Sequence, residues 1–205
     1  MYLGTSPSYP SIVEALDGHD IGLMCQPGTN HPRSGWIWAA DNGCFSDKWD
    51  EWRWFSWLLD RSARSGCLFA TVPDVVGDHA ATMARWDRYA FQVRELHYPL
   101  AFVAQDGATV GSVPWHELDT LFVGGTDGFK LGSVAKELMR EAKDRGKWVH
   151  IGRINSQRRY LAFAALGADS CDGTYLSFGP DTNLPNLLGW LRHHKTQLTM
   201  FEDRA

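Results

Sequence analysis

Short apolar runs recur along the chain, separated by longer stretches in which apolar residues return every three or four positions. The runs are Tyr2–Gly4, Ile21–Cys25, Trp36–Ala39, Leu68–Val72, Leu100–Ala104, Thr120–Val123, Trp148–Ile151 and Asp169–Asp172, and each is predicted to be a strand. The longer stretches predict helices over Tyr9–Leu16, Lys48–Ser65, Asp78–His97, Val113–Leu118, Lys130–Arg145, Ser156–Leu166 and Leu184–His194. Strands that alternate with helices run parallel through right-handed crossovers, which leaves a closed barrel or an open doubly wound sheet. Eight units favour closure, so the expected fold is α/β, a compact (β/α)8 TIM-like barrel forming a single domain over residues 1–205. The glycine-rich stretch Gly124–Gly128 lacks the GxGxxG spacing and comes late in the chain, which weighs against an open dinucleotide-binding sheet. Gln26–Gly35 carries no helical pattern and is expected to be a functional loop.

In such a barrel chemistry is done where the strands end and the following loops converge, so polar residues that close the apolar runs matter most. The third predicted strand ends in Ala40-Asp41-Asn42-Gly43, the fourth in Val72-Pro73-Asp74, the fifth in Ala104-Gln105-Asp106, the sixth in Val123-Gly124-Gly125 and the eighth in Ser170-Cys171-Asp172. A single Asp in such a place is more often a turn or helix-capping residue, and Asp47, Asp78 and Asp181 are read that way. Carboxylates from several strand ends, together with an amide and a glycine backbone, instead suit acid-base or nucleophilic chemistry around one cavity. A pair of them would equally serve a glycosidase.

Composition narrows the partners. Of 205 residues 44% are hydrophobic and 21% charged, an ordinary globular balance, but the formal net charge of −4 provides no long-range field for a polyanion. Any grip on nucleic acid must come from a local basic surface, a homodimer partner or an accessory protein. The four cysteines, Cys25, Cys44, Cys67 and Cys171, are widely spaced and suggest neither a disulfide framework nor a metal site. No basic segment with an apolar run opens the chain and no stretch has 18 consecutive apolar residues, so neither export nor membrane spanning is expected, and the cytoplasm is the expected compartment.

Taken in order, Asp41-Asn42-Gly43-Cys44-Phe45, Val72-Pro73-Asp74, Val103-Ala104-Gln105-Asp106-Gly107, Phe122-Val123-Gly124-Gly125-Thr126 and Gly167-Ala168-Asp169-Ser170-Cys171-Asp172 resemble the successive motifs of the tRNA-guanine transglycosylases. Met83-Ala84-Arg85-Trp86 also resembles the Arg-Trp segment that follows the family's base-recognition aspartate. The resemblance, which runs from about Trp36 to Asp172, implies a barrel enzyme that exchanges a purine through a covalent glycosyl intermediate. It implies that Asp172 is the nucleophile, that Asp41 is the general acid/base, that Asp74 and Gln105 bind the purine edge, and that the backbone of Gly124 and Gly125 approaches the base. Asn42, Cys44 and Cys171 depart from the family motifs, and its C-terminal zinc-binding cysteines and histidine are missing, so no structural zinc and no cofactor are expected. Without that region the implied substrate is DNA rather than tRNA, as in the phage and bacterial enzymes that insert 7-deazaguanine derivatives, with preQ0 or a related base replacing guanine. Two other expectations stand beside this one: a DNA or nucleoside N-glycosidase on the same barrel, with water resolving the intermediate, and a non-catalytic module that binds a modified base.

Other residues carry two readings each. Arg153, Arg158 and Arg159 follow the seventh strand and either contact phosphate or open a solvated helix. His31 and Arg33 in the long loop, and Lys130 past the glycine turn, either touch nucleic acid or are ordinary polar residues. Trp49, Trp52, Trp54, Phe55 and Trp57 are expected to pack a helix on the barrel rather than stack on bases. His150 lies within a strand and reads either as a satisfied core histidine, the commoner case, or as a residue with a direct role, and the rings of His193 and His194 diverge on a helix and share no metal.

Overall fold

Side chains along a strand point alternately to opposite faces, and this chain uses its two faces differently. The structure, a computed structural model, describes residues 1–4, 7–29, 31–46, 49–60 and 65–202, the side chains of 193–202 excepted. Asp47 and Lys48, and the side chains of His193 and His194, lie outside the described residues. The strands are β1 (Tyr2–Gly4), β2 (Gly22–Cys25), β3 (Trp38–Ala40), β4 (Cys67–Thr71), β5 (Leu100–Ala104), β6 (Thr120–Val123), β7 (Trp148–Ile151) and β8 (Ser170–Asp172). Each pairs in parallel with the next, and β8 returns to β1 with Tyr2 opposite Cys171 and Leu3 opposite Asp172, closing an eight-stranded barrel. One set of alternate residues, among them Tyr2, Leu23, Trp38, Phe102, Val149 and Cys171, joins the large apolar core between barrel and helices. The other set, Leu3, Met24, Ala39, Phe69 and Ala101, forms a separate cluster with Phe122 against it, the filled lower lumen.

Around the barrel lie α1 (Pro10–Asp17), α2 (Glu51–Asp60), α3 (His79–Glu95), α4 (Asp127–Leu131), α5 (Ser133–Asp144), α6 (Gln157–Ala164) and α7 (Pro180–Glu202). Asp78 caps α3, accepting from the Ala81 N–H at 2.9 Å, and Asp181 in the first turn of α7 accepts from Ser11 Oγ at 3.0 Å. Among the described residues the connection from β2 to β3 has no helix, as expected. Three expectations change. Val113–Leu118 is a hydrogen-bonded turn after a single 3-10 turn at Val110–Ser112, because Pro114 accepts from the amides of Glu117 and Leu118 while the Trp115 indole reaches back to Val110 O at 2.8 Å. The stretch expected as one helix from Lys130 is two, since Gly132 takes an extended ψ of 170° and the helix restarts at Ser133. Finally, α7 starts at Pro180, whose missing N–H costs nothing in a first turn, and continues through Pro185.

The tryptophans of α2 mostly pack, as expected. Trp54 stacks on Trp57 at 5.7 Å, and Trp57 meets the edge of Trp38 at 6.1 Å; only Trp52 of the group faces solvent, at 79% exposure. No helix of the described residues is long and apolar enough to cross a membrane. Trp38 is fully buried between Trp57 and Tyr98. Trp38→Ala is therefore expected to cost about 3–5 kcal/mol, read as a lowered urea midpoint at unchanged slope.

Candidate active site

The lumen-facing alternation continues past the strand ends, and there the residues turn polar. Asp41 follows β3, Thr71 ends β4, Gln105 follows β5, Gly124 follows β6, Gly152 follows β7 and Asp172 ends β8. With Asp74, Gly125, Arg153, Phe45 and Val76 they line one cavity of about 360 Å³ above the apolar layers. That size falls within the range of small-molecule sites, about 300–1,000 Å³. The structure thus brings together Asp41, Asp74, Gln105, Gly124, Gly125, Asp172 and Arg153. His31, Arg33, Lys130, Arg158 and Arg159 are not among its walls.

Asp74 is held by amides. Its Oδ1 accepts from Asn42 Nδ2 at 2.9 Å and its Oδ2 from Gln105 Nε2 at 2.6 Å. Asn42 is itself fixed, donating also to Val72 O at 3.1 Å and accepting the Cys44 N–H at 2.8 Å; Gln105 Oε1 accepts the Gly77 N–H at 2.9 Å. Arg85 Nη1 clamps the Asp74 carbonyl at 2.5 Å while its guanidinium lies over Trp49, 4.9 Å from the ring centroid. Burial raises the Asp74 pKa, and the hydrogen bonds from Asn42 and Gln105 and the Arg85 charge oppose that rise. One lone-pair site per oxygen and the second Gln105 amide hydrogen remain for a ligand.

Gly124 and Gly125 are needed for different reasons. A Cβ at Gly124 would sit 2.9 Å from Val103 Cγ1 and 3.0 Å from Gln105 Nε2, so any side chain would displace the amide that holds Asp74. Gly125 has φ +70°, and a Cβ there would lie 2.7 Å from Asp106 Oδ2. That Asp106 carboxylate pins the turn by accepting from the Thr126 N–H at 2.8 Å and its hydroxyl at 2.6 Å.

Across the cavity, Asp172 Oδ1 lies 3.0 Å from His150 Nε2 and accepts the Arg153 N–H at 3.3 Å. Arg153 has φ +62°, a left-handed conformation that an L side chain adopts only under constraint, and its guanidinium donates to Gly125 O and lies 4.4 Å over the Phe45 ring. Phe45 is 62% exposed and offers an aromatic face at the mouth. Asp41 has fewer donors; among the described residues its Oδ1 accepts the Gly43 N–H alone, at 3.2 Å. Burial, opposed by that bond and reinforced by the charges of Asp172 and Asp74, pushes its pKa up to about 7. Two carboxyls in one cavity thus differ in kind: Asp41 holds a proton near neutrality, and Asp172 lines the cavity with its Oδ1 already engaged by His150 and the Arg153 N–H.

Of the remaining basic candidates, Lys130, Arg159 and Arg33 make contacts within the protein. Lys130 is 2% exposed, donating to Gly152 O at 3.0 Å and pairing with Asp127 at 3.3 Å, so it has no exposed ammonium to offer a phosphate. Arg159 pairs with the same Asp127 at 2.8 Å, and Arg33 lies over Trp36 at 5.1 Å. Arg158 and His31 are exposed, away from the cavity wall. Burial and Asp74 push the Cys44 thiol up to about 12, so it stays a thiol, and it is not part of the cavity wall. Among the described residues no group of three or more His, Cys, Asp or Glu side chains is arranged to hold a metal ion. Sequence reasoning assigned no role here to Asn42 or Phe45, which lie inside a recognised motif; His150 is the satisfied buried histidine that the sequence suggests, with both ring nitrogens hydrogen-bonded, and it shares the strand parity of Gly152.

No known family model matches the chain, and no curated protein matches it.

The Asp41 carboxyl makes stability depend on pH. Its pKa is raised in the folded state, so the stabilisation is full below about pH 4 and is lost as pH rises through about 7, by up to about 4 kcal/mol. Asp41→Asn, which keeps the acceptor for Gly43, is therefore expected to raise the unfolding midpoint at pH 8 and to change it little at pH 4. Equal shifts at the two pH values would contradict the burial of an ionisable group there.

Proposed function

We propose that this barrel is a base-exchange glycosyltransferase that replaces guanine in DNA with a 7-deazaguanine derivative such as preQ0. The observation that carries the reading is the joint lining of one purine-sized cavity by Asp41, Asp74, Gln105, Gly124, Gly125 and Asp172. The target guanine leaves the base stack at a cost of a few kcal/mol and enters the cavity. Asp74 accepts from its N–H edge and Gln105 donates its second amide hydrogen to the purine oxygen. Asp172 Oδ2 then attacks C1′ as the bond from C1′ to the base breaks; the electron pair leaves with the base, and Asp41 protonates it. The glycosyl ester persists until the incoming base gives its ring proton to Asp41 and attacks C1′, returning the electron pair to Asp172. A carboxylate nucleophile splits one hard displacement into two easier ones. The pKa of Asp41, near 7, suits a group that donates in the first half and accepts in the second.

The test is to incubate DNA with the protein and labelled guanine, with and without preQ0. Label entering intact DNA, competed by preQ0, is the expected result; abasic sites would replace exchange with hydrolysis, and unchanged DNA would reduce the protein to a binder. Asp172→Asn is expected to abolish both exchange and the covalent adduct. Loss of Asp41 is expected to slow exchange by about 10²–10⁴-fold. Asp74→Ala is expected mainly to relax the choice of base, read from competition between guanine and adenine.

A further inference from the structure

Beneath Asp172 a chain of polar atoms links β7 to β8. His150 stands opposite Ser170 in the register of β7 and β8 and is fully buried, its ring 4.4 Å from Phe122 and 5.0 Å from Phe69. Trp148 Nε1 donates to Ser170 Oγ at 2.8 Å, Ser170 Oγ is 2.8 Å from His150 Nδ1, and His150 Nε2 is 3.0 Å from Asp172 Oδ1. An indole N–H can only donate and takes one of the two lone pairs of Ser170 Oγ, while Asp172 Oδ1, which also accepts the Arg153 N–H, accepts from the ring at Nε2, so the hydroxyl proton of Ser170 turns to His150 Nδ1. A neutral ring that accepts at Nδ1 carries its proton on Nε2 and donates it to Asp172. The opposite tautomer would set a nitrogen lone pair against the carboxylate oxygen and leave the Ser170 proton without its acceptor. Burial lowers the His150 pKa against the pull of Asp172.

We propose that His150 is a positioning residue for the nucleophile: a one-way hydrogen-bond chain from Trp148 through Ser170 to His150 holds Asp172 by Oδ1 and leaves Oδ2 as the attacking oxygen. Its kinetic consequence rests on the base-exchange reading; its tautomer does not. When Oδ2 bonds to C1′ and the base departs with the electron pair, Oδ1 becomes the ester carbonyl and keeps the Nε2–H bond. When the second base attacks, the pair of the breaking bond between Oδ2 and C1′ returns to the carboxylate, and the same N–H stabilises the restored charge. His150 neither gains nor loses a proton in either half, so it adds no ionisation to the pH profile.

The test has two arms. Nitrogen-15 NMR of the histidine ring in the wild-type protein is expected to show a neutral imidazole protonated on Nε2 from pH 6 to 8, with the Nε2 resonance shifted in Asp172→Asn and the tautomers mixed in Ser170→Ala. An imidazolium or an Nδ1–H ring at pH 7 overturns the proposal whether or not the protein exchanges bases. In the kinetic arm, His150→Phe is expected to lower kcat and the rate of adduct formation about 10–100-fold, the range expected for one hydrogen bond to a charged group, with KM for the base and the pH profile unchanged. His150→Gln, whose amide can donate to the same oxygen, should recover part of that loss. Ser170→Ala, a smaller change that retains the imidazole, should lower kcat with only a modest loss of melting temperature from the lost hydrogen bonds, which covers the case of a His150→Phe protein that does not fold. Wild-type kcat in both His150→Phe and Ser170→Ala overturns the proposal. An inactive wild-type protein or an active Asp172→Asn sinks the base-exchange reading instead and leaves the NMR arm to decide the positioning.

Discussion

Closing eight strands into a ring sets every lumen-facing residue at once, because each strand offers alternate side chains to the inside and a slip of one residue turns its whole set outward. The seam between β1 and β8, with Leu3 opposite Asp172 and Tyr2 opposite Cys171, is where the ring is tied. A one-residue slip there would send Asp172 to the helix side and bring Cys171 into the lumen. With the observed register, Cys171 joins the outer core while Leu3, Met24, Ala39, Phe69 and Ala101 fill the lower lumen. The cavity needs no separate architecture. It is the place where the same inward-facing rows run out of apolar residues and continue as Asp41, Thr71, Gln105, Gly124 and Asp172.

Three carboxyl groups around one hollow repel each other when ionised, and the chain manages this by assigning donors unequally. Asp74 receives two side-chain amides, Asp172 a ring nitrogen and a backbone amide, and Asp41 a single backbone amide. The group with the weakest support is the one whose proton is held to about pH 7. Neutral donors carry much of this work: Asn42, Gln105 and His150 fix the carboxylates without cancelling their charge, whereas a lysine or arginine in the same place would neutralise them and weaken the acceptors. The cost is borne by stability, since an ionised Asp41 opposes folding at alkaline pH.

The strands and the carboxylate ring were legible because both rest on strong, short-range signals: apolar runs of four or five residues, each closed by Asp, Gln or Gly. Helix limits were less so. Six residues of helical spacing at Val113–Leu118 fit a single turn as well as a helix, and only the tertiary reach of the Trp115 indole to Val110 decides between them. Gly132 interrupts the helical stretch by a ψ that periodicity does not report. Asn42 was hidden because an amide in a turn has many ordinary uses, and its role depends on Asp74, which is 32 residues away in sequence. His150 was the most recoverable. Counting by twos back from Gly152 puts it inside the barrel, where an imidazole between Phe69 and Phe122 must find polar partners on a neighbouring strand.

The cations near the mouth are engaged by the protein itself rather than held ready for a phosphate. Arg153 engages Gly125 O and the Phe45 ring, Lys130 engages Gly152 O and Asp127, and Arg159 engages that same Asp127. All three therefore tie the loop after β6 to the loop after β7, the two segments that carry Gly125 and Gly152. Their charge is used to hold the rim in shape. What the rim then presents is Phe45, Val76 and the Arg153 guanidinium stacked on an aromatic face. Such a surface favours entry of a flat, uncharged ring over seating of a phosphate, because a stacked base loses little hydration while a phosphate at a rim lined below by three carboxyls meets charges of its own sign. For the proposed exchange, discrimination then rests on which base fits between Asp74 and Gln105, and long-range attraction contributes little.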